Sequence, residues 1–275
     1  MIYKSAKSVR EGTLVVDADD VFADEHFDSV FDAPMVQVVG PRTLIRDVRL
    51  TSTWGAGTDN HGVDVLAPYQ QDVRIANATV MGPGGDGFRL RKPSVGMGPQ
   101  LSNCRSVMHI YGAGFRVESE YVILTNCQSY GGSIGYYLDA GNVNLTGCQA
   151  HSNTSGLVIR GENGNDGHPC ITGGQFNHST DKALDIDPLL NGATLTGCHF
   201  YYGKIRIAGS PQKKGLIHFV GATIDVTELD LRGALVRFDA CTWPMANANT
   251  FIMDADTVLQ FPDTNRKLDG TVMTP

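Results

Sequence analysis

Short segments of alternating apolar and polar residues recur along most of this 275-residue chain. One signature is a strand of the form apolar-x-apolar that usually follows glycine, as in GFRL (Gly87–Leu90) and GFRV (Gly114–Val117). Nine copies occur, and their starts are separated by 21 to 27 residues. Alternation with a period of two predicts short β-strands, and the 3.6-residue period of a helix is absent from these units.

A second signature alternates with the first and consists of an aliphatic, a polar, a small or amide and a small residue. It reads LSNC (Leu101–Cys104), LTNC (Leu124–Cys127) and LTGC (Leu145–Cys148). Two strand signatures in every unit predict one coil of a parallel β-helix, whose strands stack about 4.8 Å apart. A leucine-rich repeat has units of similar length, but its consensus is not met. We therefore predict an all-β, single-stranded right-handed parallel β-helix of about nine coils.

The repeats set the expected boundaries. Residues 41–255 are predicted to form the β-helix, residues 1–40 an N-terminal attachment or cap segment, and residues 256–275 a C-terminal tail. Within the cap, EHFDSVFDAP (Glu25–Pro34) is expected to form a short amphipathic helix, because the first coil otherwise exposes an unpaired sheet edge.

Five of the six cysteines occupy one position of the second signature, and these are Cys104, Cys127, Cys148, Cys198 and Cys241. Three consecutive rungs cannot pair off as disulfides, and metal ligands converge on a point instead of following an axis. The ladder is therefore interpreted as buried packing, and Cys170, outside it, is expected to be buried too. Unpaired thiols favour assembly in a reducing compartment.

Composition narrows the classes of partner. A net charge of −7 argues against nucleic acid and anionic membranes, and no apolar run reaches 18 residues. GPGGDG (Gly82–Gly87) lacks the Gly-Lys-Ser/Thr of a phosphate loop, and GENGNDGHP (Gly161–Pro169) lacks the spacing of a calcium loop. We expect no cofactor and no metal, and the eight histidines are interpreted as surface or loop residues.

The two signatures resemble the right-handed β-helix proteins of the pectin-lyase-like superfamily over residues 40–255. That superfamily includes pectate lyases, polygalacturonases, alginate-modifying enzymes and trimeric bacteriophage tailspikes, and the fold alone does not choose among them. TDNHGVD (Thr58–Asp64) is weakly similar to the Asn-Thr-Asp-Gly of polygalacturonases, but their Gly-His-Gly and Arg-Ile-Lys elements are missing. The calcium-binding aspartates and the Trp-Ile-Asp-His element of pectate lyases are missing as well.

The middle residues of the first signature are predicted to point outward and to stack into one exposed stripe. They are Asp64, Arg89, Arg116, Tyr137, Val158, Asp185, Arg206 and Asp230, and further outward positions include Arg91, Ser119, Asp139, Gly161, Asp187 and Gly209. Aromatic faces stack on sugars, and arginines bind carboxylates through two hydrogen bonds. The predicted ligand-binding residues are Arg89, Arg116, Tyr137, Arg160 and Arg206.

Hydrolysis of a glycosidic bond requires two carboxylates, one of them with a raised pKa. Asp185 and Asp187 lie on the same face of a predicted strand, and Asp139 belongs to a nearby coil, so these three are the catalytic candidates. Asp59, Asp64 and Asp86 form a second acidic group near the N-terminal coils.

Two functions remain open. The favoured hypothesis is a bacteriophage tailspike or virion adhesin that is made in the bacterial cytoplasm and resides in the virion tail. It would form a homotrimer, bind host cell-surface polysaccharide, with or without depolymerase activity, and contact other tail proteins through residues 1–40. Trimer packing would cover outward apolar residues such as Val158 and Ile252. The N-terminus lacks the apolar region of a secretory signal, which is expected for that route. The alternative is a free polysaccharide lyase or glycoside hydrolase.

Overall fold

The computed structural model describes residues 2–3, 8–10, 12–53, 57–66, 72–92, 98–160, 168–244 and 250–275. Regular structure in these ranges is β-strand throughout, and the chain divides into two compact units, Met1–Tyr137 and Leu138–Pro275. In each unit the chain passes in turn through three parallel sheets, named A, B and C here. The predicted all-β, parallel β-helix architecture is therefore confirmed.

The strands of the first unit are numbered in chain order. Sheet A holds β1 (Ile2–Tyr3), β4 (Val21–Ala23), β7 (Leu44–Arg46), β10 (Arg74–Ala76), β13 (Gln100–Ser102) and β16 (Ile123–Thr125). Sheet B holds β2 (Ser8–Arg10), β5 (His26–Ser29), β8 (Arg49–Ser52), β11 (Thr79–Met81), β14 (Arg105–Val107) and β17 (Gln128–Tyr130). Sheet C holds β3 (Leu14–Val16), β6 (Val36–Val38), β9 (Val63–Val65), β12 (Phe88–Leu90) and β15 (Ala113–Val117), and β18 (Ile134–Leu138) ends at the boundary of the unit.

The second unit repeats this plan. Sheet A holds β19 (Asn144–Thr146), β22 (Cys170–Thr172), β25 (Ala193–Thr196), β28 (Ile217–Val220), β31 (Leu235–Asp239) and β34 (Val258–Gln260). Sheet B holds β20 (Gln149–His151), β23 (Gln175–Asn177), β26 (His199–Tyr201), β29 (Thr223–Asp225), β32 (Thr242–Trp243) and β35 (Arg266–Lys267). Sheet C holds β21 (Ser155–Ile159), β24 (Lys182–Ile186), β27 (Lys204–Ile207), β30 (Glu228–Asp230) and β33 (Thr250–Ile252).

The corner between sheets A and B explains the amide and glycine of the second signature. Asn77, Asn103 and Asn126 have φ of 53°, 52° and 52°, and Gly147 has 63°. This left-handed region is open to glycine and is visited by asparagine and aspartate more readily than by most other residues. Asn103 Nδ2 also donates to Asn77 Oδ1 at 3.2 Å, so the corner residues form a ladder.

At five corners the residue that follows is a cysteine, and its side chain points into the core. Cys104, Cys127, Cys148, Cys198 and Cys241 are all buried and form no disulfide, as predicted. The Cys198 thiol donates to the carbonyl of Thr196 at 3.6 Å, and the other four thiols contact the carbonyl two residues earlier in the same way. Burial raises the pKa of Cys198 to about 11, so this thiol is a packing group without nucleophilic character. Cys170 differs from the prediction, because it opens β22 and is exposed.

Stacks of buried aromatic rings follow the inward face of sheet C in the first unit and of sheet A in the second unit. In the first unit Phe88 lies 5.0 Å from Phe115, and Phe115 lies 5.0 Å from Tyr136, with nearly parallel rings. The buried hydroxyl of Tyr136 donates to the carbonyl of Cys127 at 2.6 Å, so its polar end is satisfied. In the second unit Phe219 and Phe238 stack at 4.7 Å.

The β-helix extends beyond both predicted limits. Before residue 41, strands β1 to β6 pair with the following coils in register, as in Val36↔Val63. The predicted helix at residues 25–34 is wrong, because His26–Ser29 is strand β5. Asp24, with φ of 60°, takes the place of the corner asparagine there, so this coil does not show the full signature. After residue 255, β34 and β35 add to sheets A and B, and Phe261 packs 5.6 Å from Trp243.

Candidate functional site

The outward face of sheet C carries charged residues in lateral register. In the first unit Asp64 pairs with Arg89, and Arg89 pairs with Arg116, along β9, β12 and β15. In the second unit Asp185 pairs with Arg206, and Arg206 pairs with Asp230, along β24, β27 and β30. Parallel stacking brings each of these side chains within one strand spacing of the next, which is the stripe that the sequence predicted.

On this face of the first unit, Arg89, Arg91 and Arg116 each contact a different carboxylate. Arg91 binds Asp64 through Nε and Nη2, at 2.8 and 2.9 Å, although Asp64 is 0% exposed. Arg89 Nη2 lies 3.5 Å from Glu118 Oε1. The hydrogen bond with Asp64 raises the pKa of Arg91, so its guanidinium is charged throughout the physiological range. The Asp64–Arg91 pair is therefore a fixed, buried part of this face.

Arg116 connects the acidic wall to an aromatic ring. Its Nε lies 3.0 and 3.1 Å from the two oxygens of Asp86, which also accepts the backbone N–H of Ala113 at 2.7 Å. The guanidinium carbon lies 4.4 Å from the centre of the Tyr137 ring. Asp86, which is buried, and the half-buried Tyr137 ring thus hold the Arg116 side chain in one orientation.

His61 is buried, contrary to the expectation that the histidines lie at the surface or in loops. Its Nδ1 accepts the backbone N–H of Asp86 at 2.9 Å, and its Nε2 faces Arg89 Nη1 at 3.3 Å. Burial lowers the pKa of His61 and outweighs the attraction of the Asp86 and Asp64 carboxylates. The ring is therefore neutral at pH 7.

These residues line a pocket of about 260 Å³ on the outward face of the first unit, called the His61 pocket here. Its wall consists of Thr58, Asp59, His61, Gly85, Asp86, Arg89, Tyr111, Gly112 and Arg116. The connections between sheets B and C supply seven of them, and strands of sheet C supply Arg89 and Arg116. Those connections stack closely, because a Cβ on Gly85 would lie 2.3 Å from the Thr58 carbonyl oxygen.

The second unit concentrates its charges around Asp185, which is 4% exposed. Arg206 Nη1 contacts Asp185 Oδ1 at 2.6 Å, and Arg160 Nη2 contacts Oδ2 at 2.9 Å. Lys182 Nζ lies 3.5 Å from the same carboxylate. Burial alone would raise the pKa of Asp185, but the hydrogen bonds from Arg160 and Arg206 hold it below its usual value. Among the three catalytic candidates, the general acid needs a raised pKa, and the environment of Asp185 acts in the opposite direction.

The other two catalytic candidates lie in different settings. Asp187 contacts the same two arginines, with Arg160 Nε at 3.2 Å and Arg206 Nη1 at 3.0 Å. Asp139, directly after β18, is 7% exposed. The structure thus brings Asp185, Asp187, Arg160 and Arg206 together in one network. It places Arg89 and Arg116 at the His61 pocket in the other unit, where Tyr137 contacts Arg116 but does not line the pocket.

A larger pocket of about 370 Å³ lies beside this network in the second unit and is called the Arg206 pocket here. It is lined by Arg206, Ile207, Ala208, Gly209, Ser210, Pro211, Lys214, Asp230, Arg232, Gly233, Asp254 and Asp256. Arg232 binds Asp230 through Nε and Nη2, at 2.8 and 2.6 Å. Three cationic and three acidic side chains thus surround one cavity, a mixture that suits a ligand rich in hydroxyl groups.

Several outward positions of the predicted stripe differ in the structure. Ser119 is buried, and Glu118 is the side chain that contacts Arg89 on this face. Val158 is only 2% exposed within the single chain, so it offers no apolar surface to a partner subunit. Gly161 and most of the Gly161–Pro169 loop lie outside the described residues.

Sequence reasoning missed His61, Tyr111, Lys214 and Arg232 as members of the two pockets. Tyr111 and Lys214 belong to connections between strands, whose lengths vary from coil to coil. The one available signal was the position of His61 beside Asp59 and Asp64 in TDNHGVD (Thr58–Asp64).

Two features bear on other classes of function. In the described ranges, no three or more His, Cys, Asp or Glu side chains lie together in a way that would hold a metal ion. The part of the chain that the structure describes has no helix with the length and apolarity that a membrane crossing needs.

Comparison with known proteins supports the fold. No protein-family model and no curated protein sequence matches the chain. The structure is similar to the catalytic domain of a GH87 α-1,3-glucanase determined in complex with tetrasaccharides, with a TM-score of 0.50 and 10% sequence identity. The match covers 95% of this chain and 64% of that one, so this chain spans less than two thirds of the glucanase chain. At this identity the likeness concerns the parallel β-helix fold alone.

Proposed function

We propose that this protein binds polysaccharide on the outward face of sheet C. The observation that supports this most strongly is the presence on that face of two pockets, the His61 pocket and the Arg206 pocket. Both combine arginine donors with carboxylate acceptors, and the His61 pocket adds the exposed ring of Tyr111. Sugars present hydroxyl groups that both donate and accept hydrogen bonds, and they stack on aromatic rings, so this combination matches their chemistry.

The finer form of the proposal is a bacteriophage tailspike or similar virion adhesin that binds a host surface polysaccharide. None of the six cysteines forms a disulfide, which fits a protein that is assembled in a reducing cytoplasm, such as that of an infected bacterium. In this proposal three copies form the spike, and the N-terminal segment attaches it to other tail proteins. Light scattering tests the trimer: a monomer at micromolar concentration would rule out the tailspike form and leave polysaccharide binding untouched.

Binding is tested with the full chain and a panel of purified capsular polysaccharides and lipopolysaccharides. We expect at least one to bind, and we expect Arg116→Gln or Arg206→Gln to weaken that binding. Arg105→Gln is the matched control, because Arg105 is an exposed arginine on sheet B. Binding that is weakened equally by all three substitutions would point to a general charge effect and would contradict a site on sheet C.

The alternative, a polysaccharide lyase or glycoside hydrolase, rests on Asp185, Asp187 and Asp139. The same incubation distinguishes it when products are assayed for new reducing ends and for absorbance at ~235 nm, the signal of the unsaturated sugar that a lyase forms. New ends that disappear in Asp187→Asn would support an enzyme. Binding without new ends would leave the adhesin proposal.

A further inference from the structure

The His61 pocket contains hydrogen-bond donors that do not satisfy one another. His61 Nδ1 accepts the Asp86 backbone N–H, so the proton of the neutral ring is assigned to Nε2. Nε2 then faces Arg89 Nη1 at 3.3 Å with a hydrogen on each nitrogen. Two donors at this distance both require an acceptor, and one oxygen between them would serve both.

Arg89 has further donor capacity at the same place. Its Nε is buried and has no hydrogen-bond partner within the described part of the chain. Its Nη2 reaches Glu118 only at 3.5 Å, the limit of a hydrogen bond. The guanidinium is thus held beside His61 with most of its five donor hydrogens weakly used.

Arg116 supplies the third donor group of this wall. Its Nε donates to the Asp86 carboxylate, and its guanidinium carbon lies over the Tyr137 ring. In the described ranges, no protein acceptor takes up its two terminal Nη groups. Arg116 and Arg89 are lateral neighbours on sheet C, and both line the His61 pocket.

The two acidic side chains of the pocket, Asp86 and Asp59, leave the free donors of His61, Arg89 and Arg116 available to a ligand. The Asp86 carboxylate is buried and accepts hydrogen bonds from Arg116 Nε and the Ala113 N–H. Asp59 is exposed at the rim, where a carboxylate can accept hydrogen bonds from sugar hydroxyls. The ring of Tyr111, which is 59% exposed, provides an apolar face beside it.

We propose that the His61 pocket binds the oxyanion group of one acidic sugar residue, with the oxyanion between His61 Nε2, Arg89 and Arg116. The group is a carboxylate, a sulfate ester or a phosphate ester, because each offers several acceptor oxygens to a planar guanidinium. A volume of about 260 Å³ suits one sugar residue of a longer chain. This inference rests on the proposed polysaccharide binding and specifies that the polysaccharide is acidic.

The test uses calorimetric titration of the full chain with matched ligands. The probes are a tetrasaccharide that contains glucuronate, the same tetrasaccharide with its carboxyl groups reduced, and sulfated and phosphorylated forms of the reduced compound. We expect every anionic form to bind at least about tenfold more tightly than the reduced form, because charge-assisted hydrogen bonds are lost on reduction. The three anionic forms together identify which oxyanion fits best.

Variants then locate the binding site. Arg89→Gln and Arg116→Gln should each weaken binding of the preferred anionic form about tenfold or more, and should weaken binding of the reduced form by a clearly smaller factor. Arg74→Gln, which removes an exposed arginine of sheet A in the same unit, should change neither. Circular dichroism tests whether each variant is folded. If a variant does not fold, the comparison of anionic and reduced ligands on the unsubstituted chain still tests the inference.

Two results would overturn the inference and leave the proposed function standing. One is equal affinity for the anionic and reduced tetrasaccharides. The other is preferred binding of the anionic form that is unaffected by either substitution at the His61 pocket. If neither these ligands nor the polysaccharide panel binds, both the inference and the proposed function are wrong.

Discussion

Arg206 and Asp185 are lateral neighbours on adjacent strands of sheet C, and Arg206 Nη1 lies 2.6 Å from Asp185 Oδ1. Arg160 approaches the other oxygen of the same carboxylate. Asp185 is therefore the buried anion around which three cations of the second unit are arranged. Its role in this structure is to neutralise those cations.

Asp185→Asn is expected to destabilise the protein by about 3 kcal/mol, because it removes the more buried of the two carboxylates that Arg160 and Arg206 share and leaves them with Asp187 alone. Urea denaturation of Asp185→Asn and of the unsubstituted chain measures this difference in the free energy of unfolding. Asp263→Asn, which changes an exposed aspartate of the same unit, should alter it by less than about 0.5 kcal/mol. Equal effects of the two substitutions would show that the network contributes nothing specific.

The stability of the first unit is expected to fall as the pH drops from about 6.5 toward 4. Burial lowers the pKa of His109 from 6.5 to about 4, so in this window the unfolded chain binds more protons than the folded chain. The shift corresponds to at most about 3 kcal/mol, all of it present above pH 6.5. The burial of His61 acts in the same direction.

Urea denaturation of the unsubstituted chain and of His109→Asn at pH 7 and pH 4.5 measures this effect. The difference between the two pH values should be smaller in His109→Asn. His168→Asn, at an exposed histidine, should keep the full difference. An unchanged pH dependence in His109→Asn would show that His109 is not the source of the loss of stability at low pH.

Thiol reactivity should separate Cys170 from the other five cysteines. Cys170 is exposed, whereas burial raises the pKa of Cys241 to about 12 and that of Cys198 to about 11. In the folded protein we expect one of six thiols to react rapidly with a chromogenic disulfide reagent, and all six to react after denaturation. Mass spectrometry should locate the label at Cys170. Rapid labelling at a second cysteine would contradict the buried ladder.

The corner residue Asn103 tests the backbone requirement of the second signature. Asn103→Ala should destabilise the fold by about 1–2 kcal/mol, because alanine is strained at a φ of 52°. Asn103→Gly removes the hydrogen bond to Asn77 but tolerates this φ, so it should cost less than alanine. Asn144→Ala, at an exposed strand position without positive φ, is the matched control. Equal losses for glycine and alanine would contradict this backbone requirement and assign the main effect to the side-chain ladder, which both substitutions remove.

The sequence predicted those features that every coil repeats. Corner asparagines such as Asn103, interior residues such as Phe88 and outward arginines such as Arg116 recur at one position of the unit, so each copy supports the same interpretation. The first coils were missed because Asp24 replaces the corner amide, and its left-handed φ is not evident without the coordinates.

The pockets depend on features that do not repeat. His61 and Tyr111 lie in connections between sheets B and C, and their meeting at one pocket follows from how those loops stack. The ion pairs also depend on reach, since Arg91 extends to Asp64 on the previous coil. Periodicity correctly placed Asp185 on the outward face, but its burial results from the arginines that surround it.

The most direct test of the account is to map the bound polysaccharide by hydrogen–deuterium exchange. With a saturating acidic polysaccharide, we expect slower exchange in peptides that cover residues 58–65, 85–92 and 111–117 at the His61 pocket. Residues 204–214 and 228–233 at the Arg206 pocket should also be protected, while the exchange rates of the strands of sheet B remain unchanged. Protection confined to sheets A and B, with saturating ligand bound, would contradict the central claim that sheet C is the binding face.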